Sequence, residues 1–210
     1  REAGARPDLL LLTGGLAEEG DDLVSYQRLR ETVADVPIPV HFAMGNHDSR
    51  APFLRVFPEQ QTADGFVQYA IEDPRLRILV LDTLEEGRHG GNFCEIRAQW
   101  LRDRLAEAPG HPTLIVLHHP PVPTGLSWMT ENPLSPWTER LREIVAGHDN
   151  VVALIAGHLH RPIVTTWAGT LLCAISLGIQ GQAAARTERK RRVRKAIVAT
   201  SEQLGNTPAV

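Results

Sequence analysis

Nine histidines are spread along the chain, and four of them fall in two close pairs at the ends of apolar runs. In GHLH, His158 and His160 stand two apart. In extended chain, residues i and i+2 point to one side, so both imidazoles can face one site. In LHHPP, His118 and His119 close the run TLIVL, and Pro120 and Pro121 stiffen the chain beyond them. In MGNHD, Asn46 offers a hard, neutral oxygen. His47 stands beside Asp48, whose carboxylate can hold a histidine proton for acid or electrostatic work. Imidazole is the commonest metal ligand among side chains, so the chemistry these residue types share is binding of a divalent cation. Taken singly, each motif reads equally well as a polar turn or as one buried and one exposed histidine.

These loops need elements to carry them. Residues 8–13, DLLLLT, form an apolar run ending at glycines, the pattern of a buried strand that delivers a loop. Residues 21–36 place Leu23, Tyr26, Leu29 and Val33 at helical spacing behind acidic residues, which predicts an amphipathic helix. PIPVHFAM is the next strand, opening into GNHD. FVQYAIEDPRLRILVLDT predicts a hairpin turning at Asp73-Pro74. Helices are expected at 95–108 and 136–146, and buried strands at 113–117 and 151–156. IVTTWAGTLLCAI predicts a second hairpin around Ala168-Gly169. Apolar strands alternating with helices make a layered α/β protein. In such folds ligands bind at the carboxyl ends of strands, so the loops at 14–20, 45–50, 118–123 and 157–162 are expected to meet in one site. The irregular stretch from Pro120 to Pro136, with Trp128, Met129 and then Trp137, is a candidate cover for a pocket or a surface excursion.

Composition sets the class. The chain has 210 residues, 42% hydrophobic and 22% charged, as expected of one globular domain with a core. No apolar run reaches the ~20 residues of a membrane span, and REAGARPDLLLL lacks the order of a secretory leader. Beginning without Met and close to its first strand, the chain reads as incomplete at its N-terminus. Cys94 and Cys173 are far apart in sequence and read as reduced thiols of a cytoplasmic protein. The formal charge of −3 is uneven: seven of the ten residues from 186 to 195 are Lys or Arg and one is Glu. Without them 15 basic and 24 acidic residues remain, a body near −9. So acidic a body does not attract nucleic acid over a broad surface, leaving the basic tail as the only route to such a partner. Residues 1–180 are expected to form the domain and 181–210 a solvated basic tail.

The motifs together, each following an apolar strand, resemble the calcineurin-like metallophosphoesterase family, whose pattern runs D-x-H, G-D, G-N-H-[DE], H and G-H-x-H. The matching stretches are TGGL, MGNHD, LHHPP and AGHLH. AQWLRDRL after GRHGG looks like the family's class III cyclic-nucleotide phosphodiesterase branch. The resemblance covers about residues 7–177. It implies a four-layer α/β/β/α sandwich around two divalent metal ions. By motif position Asn46, His118 and His158 would hold one ion and His160 would join the other. His118 is preferred over His119 because it stands two before the proline, with His119 in reserve. His47 would steady the phosphate or protonate the leaving oxygen, with Asp48 orienting it. Mixed N and O ligands suit Mn, Fe or Zn better than Mg alone.

The same resemblance exposes two departures. Where the family carries the aspartate that bridges both metals, this chain has Gly15, and no D-x-H element precedes that loop, so the first strand of the sandwich is expected to be missing. Glu18, Glu19, Asp21 and Asp22 are the nearby carboxylates that could compensate. The implied function is hydrolysis of a small phosphodiester such as a 3′,5′-cyclic nucleotide, with activity reduced by those losses. A catalytically inactive homologue that binds nucleotide or a protein partner in the same cleft is the alternative. A second copy of the chain, forming a homodimer, is a further expected partner, and no membrane is.

Overall fold

The computed structural model describes residues 7–17, 22–60, 62, 64–123, 125, 135–160 and 162–174. The basic tail, Glu18, Glu19 and Asp21, and the stretch with Trp128 and Met129 lie outside the described residues. Strand β1 (Leu10–Leu12) pairs in parallel with β2 (Val40–Phe42), Leu10 opposite Val40. A second sheet holds β3 (Tyr69–Ile71), β4 (Arg77–Val80), β5 (Thr113–Leu117), β6 (Val151–Ala156), β7 (Ile163–Trp167) and β8 (Thr170–Ala174), in the order β3-β4-β5-β6-β8-β7. Its centre, β4-β5-β6-β8, is parallel, and β3 and β7 are antiparallel edges. Ala168 and Gly169, at φ 52° and 81°, join β7 to β8. Two-residue hairpins favour such positive φ values because they match the strand twist.

Side-chain alternation sorts this apolar sequence into layers. Leu12, Val40 and Phe42 point one way, onto Tyr26 of helix α1 (Leu23–Val33) and Phe53 of helix α2 (Arg50–Val56). Leu9, Leu11 and Ala43 point the other way, onto Ile78, Val80 and Val116 of the larger sheet. That sheet's opposite face carries a row in register across four strands: Leu79, Ile115, Leu154 and Leu172. The row packs on Leu101 and Leu105 of helix α3 (Glu95–Glu107) and Leu141 of helix α4 (Pro136–Ala146). Three apolar interfaces therefore separate four layers, α/β/β/α, the architecture that the motif resemblance implies. Among the described residues no helix is long and apolar enough to cross a membrane.

Two local features set the loops. Asp22 caps α1, accepting from the Val24 N–H at 2.9 Å and the Ser25 hydroxyl at 2.7 Å. It is thus occupied at a helix end, where an anion is favoured. Helix α2 is absent from the sequence reading, which treats its first residue as loop. Seven residues are too few to show a helical period, and Phe53 is the only one fully buried.

Arg50, at the start of α2, grips Asp82, just past β4, with both ends of its guanidinium at 2.8 Å. Asp82 is fully buried and also accepts from the Val67 and Leu84 amides, while Arg97 lies 3.8 Å away. This knot ties the loop after β2 to the loop after β4. Removing one member of a buried pair leaves the other charge uncompensated, at ~3–5 kcal/mol. Asp82→Ala is therefore expected to lower unfolding stability by about that much. Urea denaturation followed by circular dichroism checks it; a loss under ~1 kcal/mol, the scale of a surface pair, would show that the knot does not hold these loops.

Candidate metal centre

The polar residues converge where the parallel strands end. His118 follows β5, His158 follows β6, Asn46 follows β2, and Thr13 follows β1. His118 is buried, and its Nδ1 donates to the Thr13 carbonyl at 2.6 Å. A carbonyl only accepts, so Nδ1 carries the proton and Nε2 presents its lone pair. The Asn46 side-chain oxygen lies 3.1 Å from that Nε2 and 3.1 Å from His158 Nδ1. Two acceptors facing each other at this distance repel unless a cation lies between them. Ligands ~2.0–2.1 Å from one tetrahedral or octahedral ion stand roughly 3.0–3.4 Å apart, which both Asn46 contacts match.

Close backbone approach makes room for the ring. A Cβ on Gly14 would sit 2.2 Å from His118 Nδ1, and one on Gly45 2.8 Å from its Cε1. No larger residue fits at either position while His118 stays in place. His119 is buried as well, its ring centroid 4.8 Å from that of His118 and 5.0 Å from that of His158. One nitrogen from each of these three histidines lies within 4.8 Å of the others. Burial, then the nearby His158, push the His118 imidazolium down to about 3. Burial, then His118, push His119 well below the ordinary histidine range. These rings stay neutral in ordinary buffers, the state in which imidazole can bind a metal.

Not every expected residue arrives as expected. His158 and His160 adopt φ 72° and 52°, so the chain there is a turn and not the extended segment assumed from their spacing. His158 ends up buried and His160 exposed. His47 is exposed at the rim, its ring 6.5 Å from that of His89. The rim histidines His47 and His160 are near enough to add to the cost of charging His118. Asp48 is turned away from His47. Its buried carboxylate accepts from the backbone N–H of Gly15, Leu16, Ala17 and Gly45 at 2.7–3.0 Å, and from the Tyr26 hydroxyl at 3.4 Å. Burial pushes this carboxyl up to about 6 against the pull of those amides. Asp48 shapes the two glycine loops instead of orienting His47.

Thr83 and His89 escaped the sequence reading. Thr83 bonds His119 Nδ1 at 2.8 Å, and His89 Nδ1 lies 3.3 Å from the Asn46 side-chain nitrogen. Thr83 gives no signal beyond its place just after an apolar run. His89 stands in GRHGG, where its glycine neighbours are the only signal. Among the described residues no carboxylate belongs to the histidine cluster. A cavity of about 480 Å³ opens beside it, with Gly91, His119, Pro120, Trp137, Arg140 and His158 among its walls.

The calcineurin-like phosphoesterase family pattern matches residues 2–162. A probable cyclic nucleotide phosphodiesterase of Rhodopseudomonas palustris is 39% identical over 173 residues, covering 78% of this chain and 61% of its own length. A probable glycerophosphodiester phosphodiesterase of Arcobacter nitrofigilis is 33% identical over 164 residues, 77% of this chain and 60% of its own. The 3′,5′-cyclic adenosine monophosphate phosphodiesterase of Escherichia coli K12 is 31% identical over 167 residues, 80% and 59%. The chain thus spans about three-fifths of the length of these relatives. In fold it is similar to a dimetal phosphatase from Danio rerio, with TM-score 0.63, 19% identity and coverage of 80% of this chain and 72% of that one. A match that takes in the strand-end loops, read with the donors converging there, identifies the chain as a member of the calcineurin-like phosphoesterase family.

Proposed function

We propose that this chain carries the hydrolytic site of a metal-dependent phosphodiesterase acting on a small phosphodiester such as a 3′,5′-cyclic nucleotide. One observation carries the reading: Asn46 Oδ1 stands 3.1 Å from ring nitrogens of both His118 and His158, three neutral donors from three strand ends. Asn46, His118 and His158 would hold a divalent ion; His160, the residue expected at a second ion, belongs to no group of three or more metal-ligating side chains among the described residues. When bound, such an ion supplies Lewis-acid polarisation of a phosphoryl oxygen. Thr13 fixes the His118 tautomer through its carbonyl. The exposed His47 would steady the phosphate or give a proton to the leaving oxygen. The body near −9 disfavours long polyanions and leaves small substrates. The named activities of the relatives support the same substrate class.

A second reading, binding without turnover, is favoured by one specific observation. Gly15 takes the place of the family's bridging aspartate, and its N–H donates to Asp48 at 3.0 Å. A Cβ built there meets nothing within 4 Å. Space for a carboxylate exists; the carboxylate does not.

Hydrolysis of bis-(p-nitrophenyl) phosphate with added Mn²⁺ or Zn²⁺ tests the leading reading. His118→Ala and His158→Ala are each expected to cut the rate by more than ~100-fold, beyond the 10–100-fold typical of losing a residue that merely supports a ligand. Equal rates in parent and both variants would refute the assignment. A folded parent that binds nucleotide and never turns over favours the second reading. Gly15→Asp is expected to tighten Mn²⁺ binding at least ~10-fold by calorimetry, despite the ~1–2 kcal/mol cost of a side chain at φ +66°. Unchanged affinity would mean that this loop does not face the ion.

A further inference from the structure

We propose that the centre is a single-ion site in which His119 is itself a ligand beside His118 and His158, with Thr83 as the residue that positions it. This rests on the reading that the histidine cluster binds a metal, and not on which substrate is turned over. The carrying observation is His119 Nε2, a buried ring nitrogen with no hydrogen-bond partner among the described residues, on a side chain only 2% exposed. Native interiors seldom leave such an atom unmatched, and an orphan here calls for an explanation. The other ring nitrogen, Nδ1, is taken by the Thr83 hydroxyl at 2.8 Å. That hydroxyl also accepts from the His119 backbone N–H at 3.3 Å, so backbone and ring are held by one oxygen. Metal-binding histidines characteristically have their second nitrogen held in this way.

The ring has little freedom to turn elsewhere. A Cβ on Gly91 would lie 2.8 Å from His119 Cβ and Cγ, so the backbone of that loop is wedged against the imidazole. One nitrogen of each histidine already lies within 4.8 Å of the others. Closing from 4.8 Å to the ~3.0–3.4 Å of shared coordination needs about 1.8 Å of movement at most. The set that results is three imidazoles with the Asn46 oxygen. It contains no carboxylate among the described residues, and three imidazoles suit zinc-like ions. Where the family's bridging aspartate is replaced by Gly15, His119 would supply a further donor.

Calorimetric titration of the metal-free chain with Zn²⁺ alone, with ions per chain counted by equilibrium dialysis, tests this without reference to activity. One ion per chain is expected. His119→Phe, which keeps the ring volume, is expected to weaken binding by at least ~100-fold, and Thr83→Val by ~10–100-fold. Thermal unfolding of each variant identifies any that fails to fold; should His119→Phe be lost in this way, Thr83→Val carries the test. Parent-like affinity in every folded variant, or two ions bound with similar affinity by the parent, overturns the proposal. A chain that binds one Zn²⁺ through His119 yet leaves bis-(p-nitrophenyl) phosphate intact upholds it, and removes only the hydrolytic reading.

Discussion

The buried Asp48 carboxylate is the contact on which the geometry of the site depends. It draws four backbone amides toward itself, three from the loop after β1 and one from the loop after β2, and takes the Tyr26 hydroxyl of α1 as a fifth neighbour. Hydrogen bonds to a charged acceptor contribute ~1.5–3 kcal/mol each, enough to hold two glycine-rich loops in conformations they would not keep alone. Tyr26 adds to this by accepting the Ser49 N–H at 2.8 Å, just ahead of α2. Once the loops are pinned, the Gly14 and Gly45 backbones close on either side of His118 and the Thr13 carbonyl meets its Nδ1. The direction of the His118 Nε2 lone pair is thus set by a carboxylate that does not itself touch that ring.

Strands and long helices were legible because their signals are local. LLLL, TLIVL and VVALIA announce buried strands, and the Ala168-Gly169 turn and the 136–146 helix fall where spacing and turn chemistry put them. The strand-end rule brought Asn46, His118 and His158 together correctly, since it depends only on topology. What failed was orientation. Adjacent residues such as His47 and Asp48 look like a couple in sequence, yet the turn sends one to solvent and the other to the interior. The spacing of His158 and His160 suggested a shared face, but left-handed φ values at both break the alternation of extended chain. That region of backbone space is costly for residues other than glycine, and nothing in the sequence signals it. Thr83 was illegible for a third reason: its role arises from packing of the chain after β4 on the chain after β5, 36 residues away from the histidine it holds.

Charge explains why the donors look as they do. Three buried imidazoles crowd together with centroids about 5 Å apart. Burial and mutual repulsion both remove charge from His118 and His119. Around the cluster the ionised groups serve as scaffolding: Asp82 binds Arg50, Asp22 caps α1, and Asp48 gathers amides. These three carboxylates are therefore already committed.

A neutral donor set changes what the site can do to a substrate. Anionic ligands hold a cation tightly and at the same time cancel much of its charge. Imidazoles and an amide oxygen hold it less tightly and leave that charge to act outward. A phosphodiester is an anion, so under the proposed function it would supply the negative charge that the protein withholds, and ion and substrate would stabilise each other. Under the proposed function, Gly15 in place of a carboxylate would leave more of the ion's charge to be met by the phosphate. On that reading, glycine in this loop would shift where charge is balanced, from protein to ligand, and would not simply remove a contact.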